Sequence, residues 1–345
     1  MTTPDARPGE RRIRIGDVAA LAGVSSTTVS HALSGIRTVK AATRERVLQA
    51  AAELDYAPDR RASGLRSRRS GVIGFVSDVI STTPFAGDVI VGAHEAAAER
   101  DTVTMIVDSG GDTHVEAMQI KTLLDFRVDG ILYARMFHTV VAQPSVPSDV
   151  PMVLVNAIDP GHVADSITPD EQQIAAIAMA HLVERGHRII GFATTTEDTP
   201  ASRGRERGWR DALQVIGVDA DPLVHRASSD ALGGRECGAA LLAQTPRPTA
   251  VFCFNDQIAM GVYQAAAGLG LDVPTDVSVV GVDDLAIVAA ALDPPLTTVA
   301  LPHAEMGRWA MRRLLERIDG DRTQRQARQI ACSLVERQSV ASVIG

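Results

Sequence analysis

Between residues 71 and 345, short apolar runs alternate with stretches of helical periodicity, and this alternation limits the fold more than any other feature of the chain. The runs are VIGFV (72–76), VTMIV (103–107), GILYA (130–134), MVLVN (152–156), IIGFA (189–193), AVFCF (250–254) and VSVVGV (277–282). Helical spacing marks the stretches near 87–100, 114–125, 171–185, 203–216, 231–243, 256–268 and 304–318. Unbroken apolar runs suit strands buried on both faces, and a helix between successive strands makes them parallel. The runs are too many for one compact sheet, so the expected body is α/β, doubly wound and two-lobed. Aromatic residues make up only 3% of the chain, so its core must be built from Val, Ile, Leu and Ala.

Charge divides the chain in two. Residues 1–70 hold 13 Lys/Arg against 7 Asp/Glu, and the rest holds 21 against 35. A basic head on an acidic body suits a nucleic-acid reader joined to a part that does not touch DNA. Within the head, IGDVAALAGVSSTTVSHAL (15–33) spaces Val18, Leu21 and Ala22 on one helix. Gly23 permits a left-handed turn, Ser25 can cap a second helix, and Val29, Ala32 and Leu33 are its apolar residues. Ala19 is small enough to let the two helices cross closely. A third helix is expected over 42–54, with Val47, Leu48, Ala51 and Leu54 inward. This is the helix-turn-helix pattern, whose second helix would offer Ser25, Ser26, Thr27 and His31 to a major groove. By spacing alone the same residues also fit a plain helical hairpin. Residues 56–70 place Arg60, Arg61, Arg66, Arg68 and Arg69 around Leu65. Such a segment can grip phosphates and wedge a leucine into the minor groove, or it can be a solvated linker.

Other classes find little support. The first dozen residues lack the apolar stretch of a signal peptide, and no run reaches the length of a membrane span. Cys237, Cys253 and Cys332 form no CxxC, which leaves reduced buried thiols in a cytoplasmic protein as the expectation. There is no P-loop, GxSxG, HExxH or GxGxxG, so neither an enzyme nor a cofactor or metal is expected. His181 and His187 flank a helix end without a nucleophile and are expected to pack or cap. A transport protein of the same body would need a leader and no basic head.

DVAALAGVSSTTVSHALSG, TRERVLQAAAELDYAPD, LRSRRSGVIGFV, HLVERGHRIIGF, VFCFNDQIAMGV, DVSVVGVDD, DPPLTTV and LVERQS occur in this order. The set resembles the Lac/Gal repressor family over nearly the whole chain. The resemblance implies a helix-turn-helix domain at 13–57, a hinge helix or linker at 58–70, and an effector-binding and dimerisation domain at 71–345 with the fold of periplasmic sugar-binding proteins. Lobe 1 would comprise about 71–168 and 299–329, and lobe 2 about 169–298 and 330–345. Arg60, Leu65 and Arg66 would lie in the hinge, with Leu65 as the wedge. Three positions depart from the family pattern. His31 stands where an arginine is common and lacks its bidentate fork. Lys40 replaces a serine cap, a loss of about 0.5–2 kcal/mol, and Gly64 weakens the hinge helix by about 1 kcal/mol.

In open α/β sheets, ligands bind beyond the carboxyl ends of the strands. Phe85 and Asp88 follow the first run, Arg205 the fifth, Asn255 and Asp256 the sixth, and Asp283 and Asp284 the seventh. Phe85 is a ring for stacking or a core residue. Asn255 is a ligand or a helix cap, Arg205 one of a solvated set, and the aspartates ordinary loop acids. The resemblance makes Arg205, Asn255 and Asp283 the effector contacts, and puts Asp170 where the family has a cleft-lining acid. Ser229 and Asp230 replace an aromatic stacker common in relatives, so a more polar pocket is expected. The implied protein is a homodimer on near-palindromic operator DNA, a repressor governed by a sugar or related polyhydroxylated metabolite. The chain shows no terminal leucine heptads that would zip two dimers together.

Overall fold

The structure, a computed structural model, describes residues 13–34, 37–56, 69–142 and 146–343. The chain divides into two compact units, residues 1–71 and 72–345.

In the first unit, α1 (Ile15–Ala22) and α2 (Ser26–Ser34) are joined by Gly23, whose φ of 65° is the left-handed turn that ends α1. The Thr28 N–H donates to Ser25 Oγ at 3.1 Å, so Ser25 caps α2. With α3 (Ala41–Glu53) these helices close on Val18, Ala19, Ala22, Val29, Ala32, Val47, Ala50 and Ala51. One inward expectation fails: Leu48 is exposed, at 49%, as is Leu21 of α1, at 47%. Successive helical residues are about 100° apart, so Leu48 is turned away once Val47, Ala50 and Ala51 face the core. The N-cap of α3 is Lys40, which makes no side-chain capping bond.

The second unit is built on two six-stranded sheets. The first contains β1 (Val72–Ser77), β2 (Val103–Asp108), β3 (Gly130–Val140), β4 (Met152–Ile158), β5 (Asp165–Pro169) and, returning late in the chain, β11 (Ala327–Ile330). The second contains β6 (Ile190–Thr195), β7 (Val224–Ala227), β8 (Ala250–Cys253), β9 (Ser278–Asp283), β10 (Thr297–Ala300) and β12 (Ser333–Val335). Their orders, β11-β5-β4-β3-β1-β2 and β12-β10-β9-β8-β6-β7, are the same doubly wound pattern. Among the paired strands only β10 and β12 are antiparallel. The chain passes between the sheets at 169–171, 300–303 and 330–333.

The helices are α4 (Ala86–Ala98), α5 (Thr113–Asp125), α6 (Glu171–Glu184), α7 (Pro200–Val215), α8 (Ala231–Leu242), α9 (Asp256–Gly268), the short α10 (Ala286–Ala289) and α11 (His303–Ile318). Phe75, Leu132, Met136, Val153 and Ile167 fill one core with α4 and α11. Phe192, Trp209, Phe252 and Val280 lie in the core of the second sheet. Strands β5, β7, β10, β11 and β12 have no counterpart among the seven apolar runs. They are three to five residues long and carry polar side chains. Strand β3 runs six residues past its expected end, through Arg135–Val140, with a register shift against β4 between Ala134 and Thr139.

Candidate functional site

The two sheets turn their carboxyl ends toward a shared cleft. From the first sheet come Met136 and His138 at the end of β3, Asn156 in β4, Pro169 closing β5, and Phe85 just before α4. From the second come Glu197 and Thr199 after β6, Phe254 and Asn255 after β8, and Asp283 at the end of β9. Arg205 reaches in from α7 and Glu171 from the start of α6. The free cavity is about 40 Å³, room for a few waters. A sugar or base therefore requires the two lobes to part.

Glu171 is the hub. Its carboxylate accepts from Arg205 Nε at 2.9 Å and from His138 Nδ1 at 3.0 Å, so it ties the end of β3 to α7 across the cleft. Burial would raise its pKa, but Arg205 and His138 overcome this and hold it below the usual carboxylate range. The Arg205 guanidinium also donates to the Phe254 carbonyl and lies 4.5 Å from the centre of the Phe254 ring. Helix α7 comes this close because residue 204 is glycine: a Cβ there would stand 2.5 Å from Glu171 Cβ.

The end of β9 is strained and acidic. Asp283 and Asp284 have φ of 115° and 56°, a region non-glycine residues rarely occupy and that clusters at functional sites. Burial pushes the Asp283 carboxyl well above its usual pKa; Arg205 opposes this, and Asp256 and Glu171 reinforce it. No hydrogen bond among the described residues engages that carboxyl group. Asp284 instead accepts from Arg337 at 2.7 Å. Asp256 is fully buried, and burial raises its pKa to about 7, although its carboxylate accepts from Thr298 Oγ1 at 2.6 Å and from the Leu285 N–H at 2.7 Å. Asn255 is both cap and lining residue. Its Oδ1 accepts from the Ile258 N–H at 2.7 Å, and its Nδ2 donates to the Ser229 carbonyl at 3.0 Å.

Phe85 does line the cleft, but one of its faces is covered. The ring of His303 stacks on it with centroids 4.4 Å apart and planes 4° from parallel. His303 is 4% exposed, and neither of its ring nitrogens has a partner. Nε2 of His138 is likewise buried and unbonded. Burial lowers the His303 pKa to about 4, and Arg205 adds to the effect. It is therefore a neutral imidazole offering one donor and one acceptor.

Two expected contacts are corrected. Asp170 is the N-cap of α6: its side chain turns back to accept from the Gln173 N–H at 3.0 Å, so the next residue, Glu171, faces the cleft. Asp88 sits exposed in the first turn of α4 and is not among the lining residues. Several lining residues were missed in sequence, among them Glu171, His138 and His303. Glu171 follows a natural N-cap, and His138 shares the alternation of Leu132, Ala134 and Met136. His303 stands just after Leu301-Pro302, where a strand gives way to a helix. Elsewhere, Asp230 caps α8. His187 bridges Thr249 and the Ala341 carbonyl, and His181 contacts Arg185. The three cysteines are buried free thiols.

In the first unit, Ser25, Ser26 and Thr27 are exposed and His31 is half-exposed, all at the start of or along α2. Arg60, Leu65 and Arg66 lie outside the described residues. No helix among the described residues is long and apolar enough to cross a membrane.

Residues 14–59 match the family of bacterial regulatory proteins described as lacI, and residues 179–340 match a periplasmic binding protein-like domain. The chain is 32% identical over 328 residues to the ribose operon repressor of Haemophilus influenzae, covering 95% of this chain and 98% of that protein. It is 33% identical over 337 residues to the transcriptional repressor PurR of Vibrio atlanticus, covering 95% and 99%. Among solved structures, a lac repressor dimer bound to operator and the anti-inducer ONPF superposes with a TM-score of 0.80 at 26% identity, over 96% of this chain and all of that one. The regulator CelR in complex with cellobiose gives 0.69 at 29% identity, over 95% of this chain and all of that one.

Proposed function

The chain belongs to the lacI family of bacterial regulatory proteins, and from that premise we propose that it is a repressor whose hold on operator DNA is set by a small polyhydroxylated molecule in the cleft. A homodimer presents two copies of α2 to the half-sites of a near-palindromic operator, because a two-fold protein reads two-fold DNA. Ser25, Ser26, Thr27 and His31 face the major groove; Arg60, Leu65 and Arg66 belong to the segment that meets the minor groove. Arg205, Asn255 and Asp283 contact the effector. The protein works on DNA in the cytoplasm and carries out no reaction.

One observation supports this reading above the others. Beyond the strand ends of two like sheets lies a cleft whose polar groups are partly unpaired, in the same chain as an exposed helix-turn-helix. A ligand held better by one arrangement of the lobes shifts the molecule toward that arrangement, and so changes operator affinity. Coupling of this kind is reciprocal. The test uses the full-length protein, an operator selected from a random duplex library, and D-ribose and cellobiose as probes. Anisotropy gives operator affinity with and without sugar, and calorimetry gives sugar affinity with and without operator. The two factors should agree. A sugar affinity identical with and without operator would sink the reading for that sugar.

A further inference from the structure

Two of the sequence stretches that carry the family resemblance, DPPLTTV (293–299) and LVERQS (334–339), supply none of the described residues that line the cleft. They meet instead around Asp284. Arg337, just past the end of β12, donates through one guanidinium nitrogen to Asp284 at 2.7 Å and through another to the Leu296 carbonyl at 2.9 Å. Its backbone N–H donates to Thr297 Oγ1 at 2.9 Å, and the N–H of Gln338 donates to the Pro295 carbonyl at 3.0 Å. The side chain is therefore anchored at its base and at its tip. A planar guanidinium spans the carboxylate and the carbonyl in a fixed fork that a lysine ammonium lacks.

An ion pair whose side chains are 20% and 28% exposed contributes little to stability by itself. What sets this one apart is the backbone it holds. Asp284 has φ of 56° and Asp283, immediately before it, 115°. Such residues persist only where the surrounding structure over-determines them. Here contacts close on the turn from two sides. On one side, Thr298 Oγ1 accepts from the Asp284 N–H at 3.4 Å and donates to Asp256 at 2.6 Å, and Asp256 accepts from the Leu285 N–H at 2.7 Å. On the other, Arg337 takes the Asp284 side chain. Asp283, left between strand and turn, lines the cleft.

We propose that Arg337 is a positioning residue for the effector: by holding Asp284 it keeps the 283–284 turn in its strained form and so aims Asp283 into the cleft. This rests on the effector cleft proposed above and adds a residue that touches no ligand, since Arg337 is not among the lining residues. Arg337 stands just beyond the passage at 330–333, the last of the three between the sheets. The segment that completes that passage therefore also sets a ligand contact.

The test turns on glycine, which takes a positive φ without strain. The full-length protein is compared with Arg337→Met, with Arg337→Lys, and with Arg337→Met combined with Asp284→Gly. Calorimetry with D-ribose and cellobiose reads the cleft. Hydrogen exchange followed by mass spectrometry, with no ligand present, reads residues 284–289. Arg337→Met should weaken sugar binding and speed exchange in that segment, each by about tenfold or more, while exchange in β8 stays unchanged. Arg337→Lys should fall between. Adding Asp284→Gly should recover most of both losses, because the turn then needs no ion pair. Normal binding and exchange in Arg337→Met, or a loss that Asp284→Gly does not recover, overturns the inference and leaves the effector cleft standing. Exchange that speeds up in β8 as well makes Arg337 a stability residue and overturns it too. If the unaltered protein binds neither sugar, the cleft reading fails for those sugars, and the exchange results still uphold or overturn the hold of Arg337 on the turn.

Discussion

A buried histidine that bonds to nothing loses its hydration without compensation, and His303 bears that cost at the rim of the cleft. Its pKa is lowered from 6.5 to about 4 by burial. Between those values the unfolded chain takes up a proton that the native protein refuses. Stability therefore rises with pH across that window and is lost as the solution is acidified from about pH 6.5 toward 4. In His303→Phe, the slope of unfolding free energy against pH between 4.5 and 6 should fall by up to about 1.4 kcal/mol per pH unit. Urea midpoints followed by fluorescence of Trp209 and Trp309 would measure it. Comparing the two proteins cancels the opposite contribution of Asp256, whose raised pKa acts equally in both. An unchanged slope would mean that His303 protonates freely in the native state. Residues of this kind were only half legible in sequence. Arg205, Asn255 and Asp283 were singled out by the family resemblance among the polar residues that come after the strands. Asp170 and Glu171 could not be told apart, because which of two adjacent acids faces the cleft depends on where α6 begins.

At the scale of elements, each lobe has a helix pair that meets at glycines. A Cβ on Gly92 of α4 would lie 1.8 Å from the Ala304 carbonyl oxygen, and one on Gly307 of α11 would lie 2.0 Å from that of Val89. In the other lobe, Gly234 of α8 and Gly261 of α9 would meet Ile258 and Ala231 carbonyl oxygens at 2.2 Å each. Backbone cannot yield as a flexible side chain can, so Gly307→Ala should cost about 1–3 kcal/mol or more of stability. Gly268→Ala, at the open end of α9 with nothing within 4 Å, serves as the control and should be neutral or slightly stabilising. Thermal melts of both variants would decide it; an unaffected Gly307→Ala protein would show that the helices part at little cost. Periodicity revealed these helices but not their glycine contacts, since a glycine inside a helix looks the same in sequence whether or not another backbone lies against it. The five short strands escaped for a related reason: three to five residues hold too little pattern.

For the whole molecule, the charge division predicts that its two ligands respond differently to salt. The basic first 70 residues meet phosphates, so operator binding should release counterions and weaken steeply with ionic strength, by about 10³-fold or more between 50 and 200 mM salt. An uncharged sugar such as D-ribose releases none, and its affinity should change by less than about twofold over the same range. Anisotropy and calorimetry across a salt series would show both. A flat operator series would remove the electrostatic role assigned to the head.

The sequence alone determined what is local and repetitive. It set the alternation of strand and helix, the parallel two-lobed body and the short paired helices of the head. Those properties come from spacing along the chain and from hydrophobic patterning, which need no knowledge of distant partners. Only the tertiary structure decided which side chains meet. Glu171 joins His138 and Arg205, Phe85 is covered by His303 rather than left open, and Leu48 points to solvent. Each outcome depends on the angle at which one packed element presents its residues to another far away in sequence, and packing sets that angle.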